Sequence, residues 1–284
     1  MKILILGASG LIGNATLRVL SERKDWEVYG SIRSESVKSL LPKIDGNRFV
    51  MNLDVHNFSS VIQALGEIKP NVLINCIGAI KHKKQGNNPL DAIDLNALLP
   101  HKLAQLCALI DCRFIHISTD CVFAGKSGLY AESSVTDAQD VYGKSKALGE
   151  VDYGNTITLR TSTIGHELQT KYGLLDWFLS QNNACKGFKR AIFSGFPTVV
   201  FAEIIRDIVL QRPDMKGLFN VAAAPINKYD LLQLIAKVYS KQINIMPDDT
   251  FIIDRSLDAS KFNQATGYNP PDWQHLIEAM YQYR

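Results

Sequence analysis

The opening stretch, Met1 to Gly13, constrains this chain more than any other. Ile3-Leu4-Ile5-Leu6 has no polar position, the pattern of a strand buried on both faces in a parallel sheet. It runs straight into Gly7-Ala8-Ser9-Gly10-Leu11-Ile12-Gly13, and then into residues that predict a helix from Asn14 to about Arg23. A glycine-rich turn between strand and helix aims backbone N–H groups and the positive end of the helix dipole at a phosphate. Gly7 permits the tight turn, Gly10 lets a pyrophosphate approach, and Gly13 lets the helix pack on the strand. Ser9, Leu11 and Ile12 share the turn and join the glycines as candidate dinucleotide contacts. The spacing Gly-x-x-Gly-x-x-Gly departs from the standard Gly-x-Gly-x-x-Gly, and its position directly after the first strand gives it weight.

The alternation then repeats. Trp26 to Ile32 reads as a second strand, and Arg48 to Leu53 as a third. A helix over Phe58 to Ile68 stops at Pro70, and a fourth strand covers Asn71 to Cys76. Strand and helix alternating at this spacing predict an α/β fold with a doubly wound parallel sheet. The second strand ends in Ser31-Ile32-Arg33-Ser34, without the acid that binds ribose hydroxyls in NAD sites. Arg33 offers a planar fork for a 2′-phosphate, which favours NADPH over NADH. Asp54 and Val55, after the third strand, are placed near an adenine ring. Cys76, Ile77 and Gly78 stand at the carboxyl end of the fourth strand, where such sheets bind ligands.

Lys81-His82-Lys83-Lys84 follows at that same end, a cationic loop suited to an anionic substrate. Pro89 opens a long helix, Asp91 to Ile110, which Pro100 kinks or restarts. Asn96, just before that break, is expected to hydrogen-bond toward Lys146. Arg113-Phe114-Ile115-His116-Ile117 is a fifth strand, ending in Ser118-Thr119-Asp120-Cys121-Val122. On the next helix Tyr142 and Lys146 are four apart and share one face. An ammonium beside a phenol favours the phenolate, and a phenol tuned toward neutrality is a usable general acid. The hydroxyl of Thr119 is positioned to share the substrate oxygen.

After a sixth strand, Thr156 to Arg160, the alternation weakens into shorter strands and helices without a second glycine-rich loop. The expected division is a dinucleotide-binding domain over 1–161 and a smaller α+β substrate domain over 162–284, some of whose segments return to the first. The net charge is +3 with acids and bases interspersed, which does not suggest a nucleic-acid partner. Five cysteines without a Cys-x-x-Cys pair indicate neither a disulfide framework nor a metal site, and point to a cytoplasmic protein. No apolar run approaches the roughly 20 residues of a membrane span. A homodimer is compatible with this composition.

Together these residues resemble the extended short-chain dehydrogenase/reductase superfamily, and within it the dTDP-4-dehydrorhamnose reductases and related sugar-nucleotide reductases. The likeness rests on Ser118-Thr119-Asp120-Cys121-Val122-Phe123, on Val141-Tyr142-Gly143-Lys144-Ser145-Lys146 with Gly149-Glu150, and on Arg255-Ser256-Leu257-Asp258-Ala259-Ser260-Lys261-Phe262. It implies that Thr119 polarises a keto oxygen, that Tyr142 protonates it, and that Lys146 binds the nicotinamide ribose and tunes Tyr142. It implies hydride delivery to C4 of a nucleotide-linked 4-keto-6-deoxyhexose, used for cell-surface polysaccharide. Lys81, His82, Asp120, Cys121, Val122 and Arg255 are the implied substrate residues, the diphosphate being held in the C-terminal part. Two departures concern the sugar: Cys121 stands where the family has tyrosine, and Ile80-Lys81-His82-Lys83-Lys84 replaces a Thr-x-Val-Asp-x-Ala-Glu-like stretch. An epimerase, a 4,6-dehydratase and a non-catalytic dinucleotide-binding subunit share the same core and stay open.

Overall fold

A computed structural model describes residues 1–41, 48–79 and 88–284. The expected cationic loop with Lys81 and His82 lies outside them. The chain forms two compact units, each drawn from separated stretches. Met1–Ser118, Asp140–Leu159 and Ala202–Leu218 make the first; Thr119–Gln139, Arg160–Phe201 and Phe219–Arg284 make the second. Thr119–Gln139 of the second unit thus lies before residue 161, and Ala202–Leu218 of the first lies after it.

The first unit is built on a sheet of seven strands. These are β1 (Lys2–Leu6), β2 (Glu27–Ile32), β3 (Phe49–Met51), β4 (Val72–Asn75), β5 (Arg113–Thr119), β6 (Thr156–Thr161) and a last strand, Gly217–Asn220. Their order is Gly217–Asn220, β6, β5, β4, β1, β2, β3. The chain winds outward one way from β1 to β3 and the other way from β4 to β6, so the winding reverses between β1 and β4. β1 pairs parallel with both, placing Leu4 opposite Tyr29 and Leu73. Leu4, Leu73 and Phe114 meet Val61, Leu65 and Leu103 from the helices in one core. The central strands are covered on both faces, which is why their sequence is apolar throughout rather than alternating.

Helix α1 (Leu11–Ser21) starts three residues earlier than the apolar pattern predicts, because Gly10 is already its N-cap. A short α2 (Glu35–Lys38) follows β2. β3 is shorter than expected, since Asn52 at φ 57 turns the chain out of the sheet. Helix α3 (Phe58–Ile68) keeps the predicted bounds and ends in the left-handed Lys69 before Pro70. The long helix predicted after Pro89 is three pieces: Pro89–Ala92, a π-helical turn at Ile93–Leu98, and Leu99–Leu109. Pro100 has no N–H for the carbonyl of Asn96 four residues earlier, so the regular ladder cannot pass that point.

The second unit holds small sheets. Ala191–Phe193 lies between Ile226–Asn227 and Ile253–Asp254, and Ala184–Phe188 pairs parallel with Asn244–Asp248. Helices Lys228–Val238 and Trp273–Gln282 pack with them, the latter capped by Asp272 accepting the His275 N–H at 3.0 Å. Asn220 Nδ2 donates to the carbonyls of Tyr130 and Asp258, tying the loop after Thr119 to the segment around Arg255. No helix of the described residues is long and apolar enough to cross a membrane.

Candidate active site

In the first unit the glycine turn joins β1 to the N-terminus of α1. Gly7 sits at φ 81, a conformation that disfavours any side chain. Its N–H donates to Ser31 Oγ at 3.0 Å, and Gly10 N donates back to the Gly7 carbonyl at 2.9 Å. A Cβ on Gly13 would lie 2.1 Å from that carbonyl, so the helix rests directly on the turn. The first turn of α1 carries no acid and no side-chain cap, and Gly10 is exposed while Ser9, Leu11 and Ile12 are half-buried. Asn14 Oδ1, buried at the base of this turn, has no hydrogen-bond partner among the described residues. An open, positively polarised helix end of this kind fits a dinucleotide pyrophosphate. Arg33 follows β2 and is exposed.

The other predicted dinucleotide residues divide. Asp54 is exposed, but its Oδ1 accepts the N–H of His56 at 3.1 Å, so the carboxylate is folded into its own loop. Val55 packs against the core. Ile77 faces the turn: its Cγ1 is what a Cβ on Gly7 would strike. Burial pushes the Cys76 thiol up to about 12, which favours its neutral form.

Tyr142 and Lys146 lie on helix Val141–Leu148, whose N-cap Asp140 accepts the Gly143 N–H at 2.9 Å. Tyr142 is half-buried and Lys146 buried. Lys146 Nζ donates to the Ile117 carbonyl at 2.7 Å and lies 3.4 Å from His116 Nε2. Burial lowers its pKa to about 8, with Glu150 and Cys76 pulling the other way. Asn96 does not bond Lys146. It is fully buried, its Oδ1 accepts the Ala79 N–H at 2.8 Å, and its Nδ2 donates to the Ala79 carbonyl and to Ser145 Oγ, both at 3.1 Å. The π turn presents Asn96 to Ser145, while Lys146 turns to β5. Asn96 is therefore a bracket joining the segment after β4 to the Tyr–Lys helix. His116, which the sequence reading passed over, is a polar residue in a wholly buried strand.

In the second unit Thr119 caps a 3-10 turn, Asp120–Val122. Its Oγ1 accepts the Cys121 N–H and donates to Asp120 Oδ1, each at 3.1 Å. Burial raises the Asp120 pKa, opposed by the nearby Arg255 and Lys228 charges. Arg255 Nε donates to the Phe123 carbonyl at 2.8 Å, and Nη1 reaches Cys121 Sγ at 3.5 Å. The Cys121 thiol is also pushed up to about 12 by burial. Val122 exposes no surface, so its side chain is core rather than a substrate contact. Lys228 was missed from sequence; burial lowers its pKa against the pull of Asp120.

A parallel sheet that reverses between β1 and β4, a glycine turn after β1 and a Tyr-x-x-x-Lys helix after β5 define a Rossmann-type protein of the extended short-chain dehydrogenase/reductase class. The chain belongs to the family described as RmlD substrate binding domain, whose model matches residues 1–283. It is 26% identical over 307 residues to a dTDP-4-dehydrorhamnose reductase of Aggregatibacter actinomycetemcomitans, covering 99% of each. It is 32% identical over 260 residues to methionine adenosyltransferase 2 subunit beta of Xenopus tropicalis, covering 84% of this chain and 72% of that one. Its fold is similar to a solved dTDP-4-dehydrorhamnose reductase of Bacillus anthracis in complex with NADP, with a TM-score of 0.81, 20% identity and 99% of both chains covered.

Proposed function

We propose that this protein is an NADPH-dependent reductase of a nucleotide-diphospho-4-keto-6-deoxyhexose that serves cell-surface polysaccharide synthesis. The observation that carries the reading is the buried Lys146 four residues after Tyr142, on a helix clamped by Asn96 beside an open phosphate cradle in the same unit. The full-length relative from Aggregatibacter and the NADP complex of the Bacillus reductase support it. Gly7, Gly10 and Gly13 hold the pyrophosphate, and Arg33 meets a 2′-phosphate.

Reduced nicotinamide, when bound, supplies a hydride to the keto carbon. The chain supplies the proton and the charge. Tyr142 gives its phenolic proton to the keto oxygen, and the Lys146 cation stabilises the phenolate left behind. Thr119, whose hydroxyl donates to Asp120 Oδ1, is the residue that the family likeness assigns to polarising a keto oxygen. Cys121 leaves room where the family carries tyrosine, and it offers no phenol to a sugar hydroxyl. We therefore assign a sugar other than dTDP-4-dehydrorhamnose, a UDP-linked 2-acetamido-4-keto sugar being the first to test.

The test follows NADPH absorbance with a panel of 4-keto sugar nucleotides. Net oxidation is expected, fastest with the 2-acetamido sugar. Conversion without net oxidation identifies an epimerase or dehydratase instead. The Xenopus relative is named as a subunit of another enzyme, which favours a second reading, a dinucleotide-binding subunit. Dinucleotide binding without conversion of any sugar would establish it.

A further inference from the structure

Behind Lys146 lies a buried polar chain that the proposed reaction leaves unused. Asn75 ends β4 and stands opposite His116 of β5, and neither side chain exposes any surface. Asn75 Oδ1 accepts the Ile77 N–H at 3.1 Å, so the atom facing His116 Nδ1, at 3.2 Å, is Nδ2. An amide nitrogen only donates, so Nδ1 accepts, and in neutral imidazole the proton is then on Nε2. Burial, with the charges of Lys146 and His101, holds the His116 pKa well below the usual 6.5 and keeps the ring neutral. The Nε2–H therefore faces Lys146 Nζ across 3.4 Å. An ammonium has three donors and no acceptor. This contact becomes a hydrogen bond only when Lys146 has released a proton; the amine then accepts from His116 and still donates to Ile117 O at 2.7 Å.

We propose that Asn75 and His116 are positioning residues for Lys146: Asn75 fixes the imidazole tautomer, and the Nε2–H so presented is a donor held against the Lys146 nitrogen, which can answer it with an acceptor only in its amine form. The catalytic meaning of this rests on the function proposed above; the proton chemistry does not. Besides Tyr142 on its own helix, three titratable groups among the described residues face Lys146. They are His116 from β5, Cys76 from just beyond β4, and Glu150 from just past its own helix, whose Oε1 accepts from Ser118 Oγ at 2.6 Å. Glu150 and Cys76 both favour the ammonium, and burial outweighs them. His101, from the helix Leu99–Leu109, acts on His116.

Three substitutions separate the tautomer from mere packing. Asn75→Asp places a carboxylate against Nδ1, draws the ring proton there, and turns Nε2 into an acceptor for the ammonium. His116→Phe removes the N–H, and His116→Gln keeps an amide N–H in its place. The Lys146 titration is read by NMR on the full chain carrying ¹³C-labelled lysine, with Lys146→Met giving the assignment. Wild type and His116→Gln are expected to titrate together near 8. Asn75→Asp and His116→Phe are expected to titrate about one unit or more higher, as a removed donor or an added anion requires. The alkaline limb of kcat should move with them. An Asn75→Asp protein that folds by circular dichroism, binds dinucleotide normally and titrates with wild type overturns the proposal. Should that variant not fold, equal titration of the Phe and Gln variants at 116 overturns it. Shifted titrations in a protein that reduces no keto sugar would sink the proposed function and leave the assignment to Asn75 and His116 standing.

Discussion

One added methyl, Gly149→Ala, tests how the Tyr–Lys helix is seated. Gly149 caps that helix at φ −93 and ψ 5, a conformation open to any residue, so the substitution carries no backbone strain. The whole penalty is contact. The new Cβ would lie 1.8 Å from the Asn96 carbonyl oxygen, 2.9 Å from its carbon and 3.2 Å from Ala97 Cα, where ordinary contact begins at 3.4 Å. All three atoms are backbone of the π turn, so no rotamer change relieves them. Helix and turn must separate by about 1.6 Å, the shortfall between 1.8 and 3.4 Å. Overpacking of this kind costs about 1–3 kcal/mol. The separation also breaks the Asn96 Nδ2 to Ser145 Oγ bond, worth about 0.5–1.5 kcal/mol. A loss of about 2–4 kcal/mol is expected, read as a lower urea midpoint at unchanged slope. The control is Gly66→Ala inside α3, where nothing lies within 4 Å of the new Cβ. That variant should gain about 0.5–1 kcal/mol from helix propensity and lower chain entropy. If Gly149→Ala unfolds within about 0.5 kcal/mol of wild type, Asn96 does not clamp the helix that carries Tyr142 and Lys146.

The remaining predictions concern the chemistry. Tyr142→Phe should lower kcat by roughly 10²–10⁴-fold with dinucleotide binding close to normal; retention of more than about a tenth of the rate would remove Tyr142 as the proton donor. Arg33→Ala should weaken NADPH by about 1.5–3 kcal/mol and leave NADH unchanged, and equal losses for both would exclude a 2′-phosphate contact. Lys146 is held at about 8 against an ordinary 10.5, so the unfolded chain binds more protons between those values. Stability should rise with pH from about 8 to about 10.5, the penalty being complete below 8. Lys146→Met should then stabilise the protein at pH 7 by roughly 3 kcal/mol while abolishing turnover, and urea midpoints that coincide at pH 7 and pH 10 would show that the lysine is not desolvated.

How much of this was legible in the sequence depends on how far each residue's partners lie along the chain. The glycine turn, the parallel strands and α3 are local patterns, set by runs and spacings within a dozen or so residues, and the structure keeps them. The Tyr–Lys pair is one helical turn and is equally local. Asn96 was seen as an inward-facing residue, but its partner was misplaced by one position. Pro100 inserts a π turn, which changes the facing of every residue in Ile93–Leu98 relative to a regular helix. The crossing of the chain into the second unit at Thr119 could not be read either, because Thr119 closes a strand of the first. His116 was hidden for a different reason. All seven residues of β5 are buried, so a histidine there looks like one more strand position until the parallel register sets Asn75 opposite it. A polar side chain buried in an apolar strand has to be answered by another polar group, and in a parallel sheet the answer comes from a neighbouring strand far away in sequence. Asn75 and Ser118 stand at the carboxyl-terminal ends of their strands, where a doubly wound sheet binds its ligand, and His116 stands at the middle of β5. Each is engaged by the Tyr–Lys helix or the residues just beyond it, or by a partner that is. The polar exceptions to an apolar strand pattern are thus the first places to look for what holds a catalytic lysine, and the strand register then names their partners.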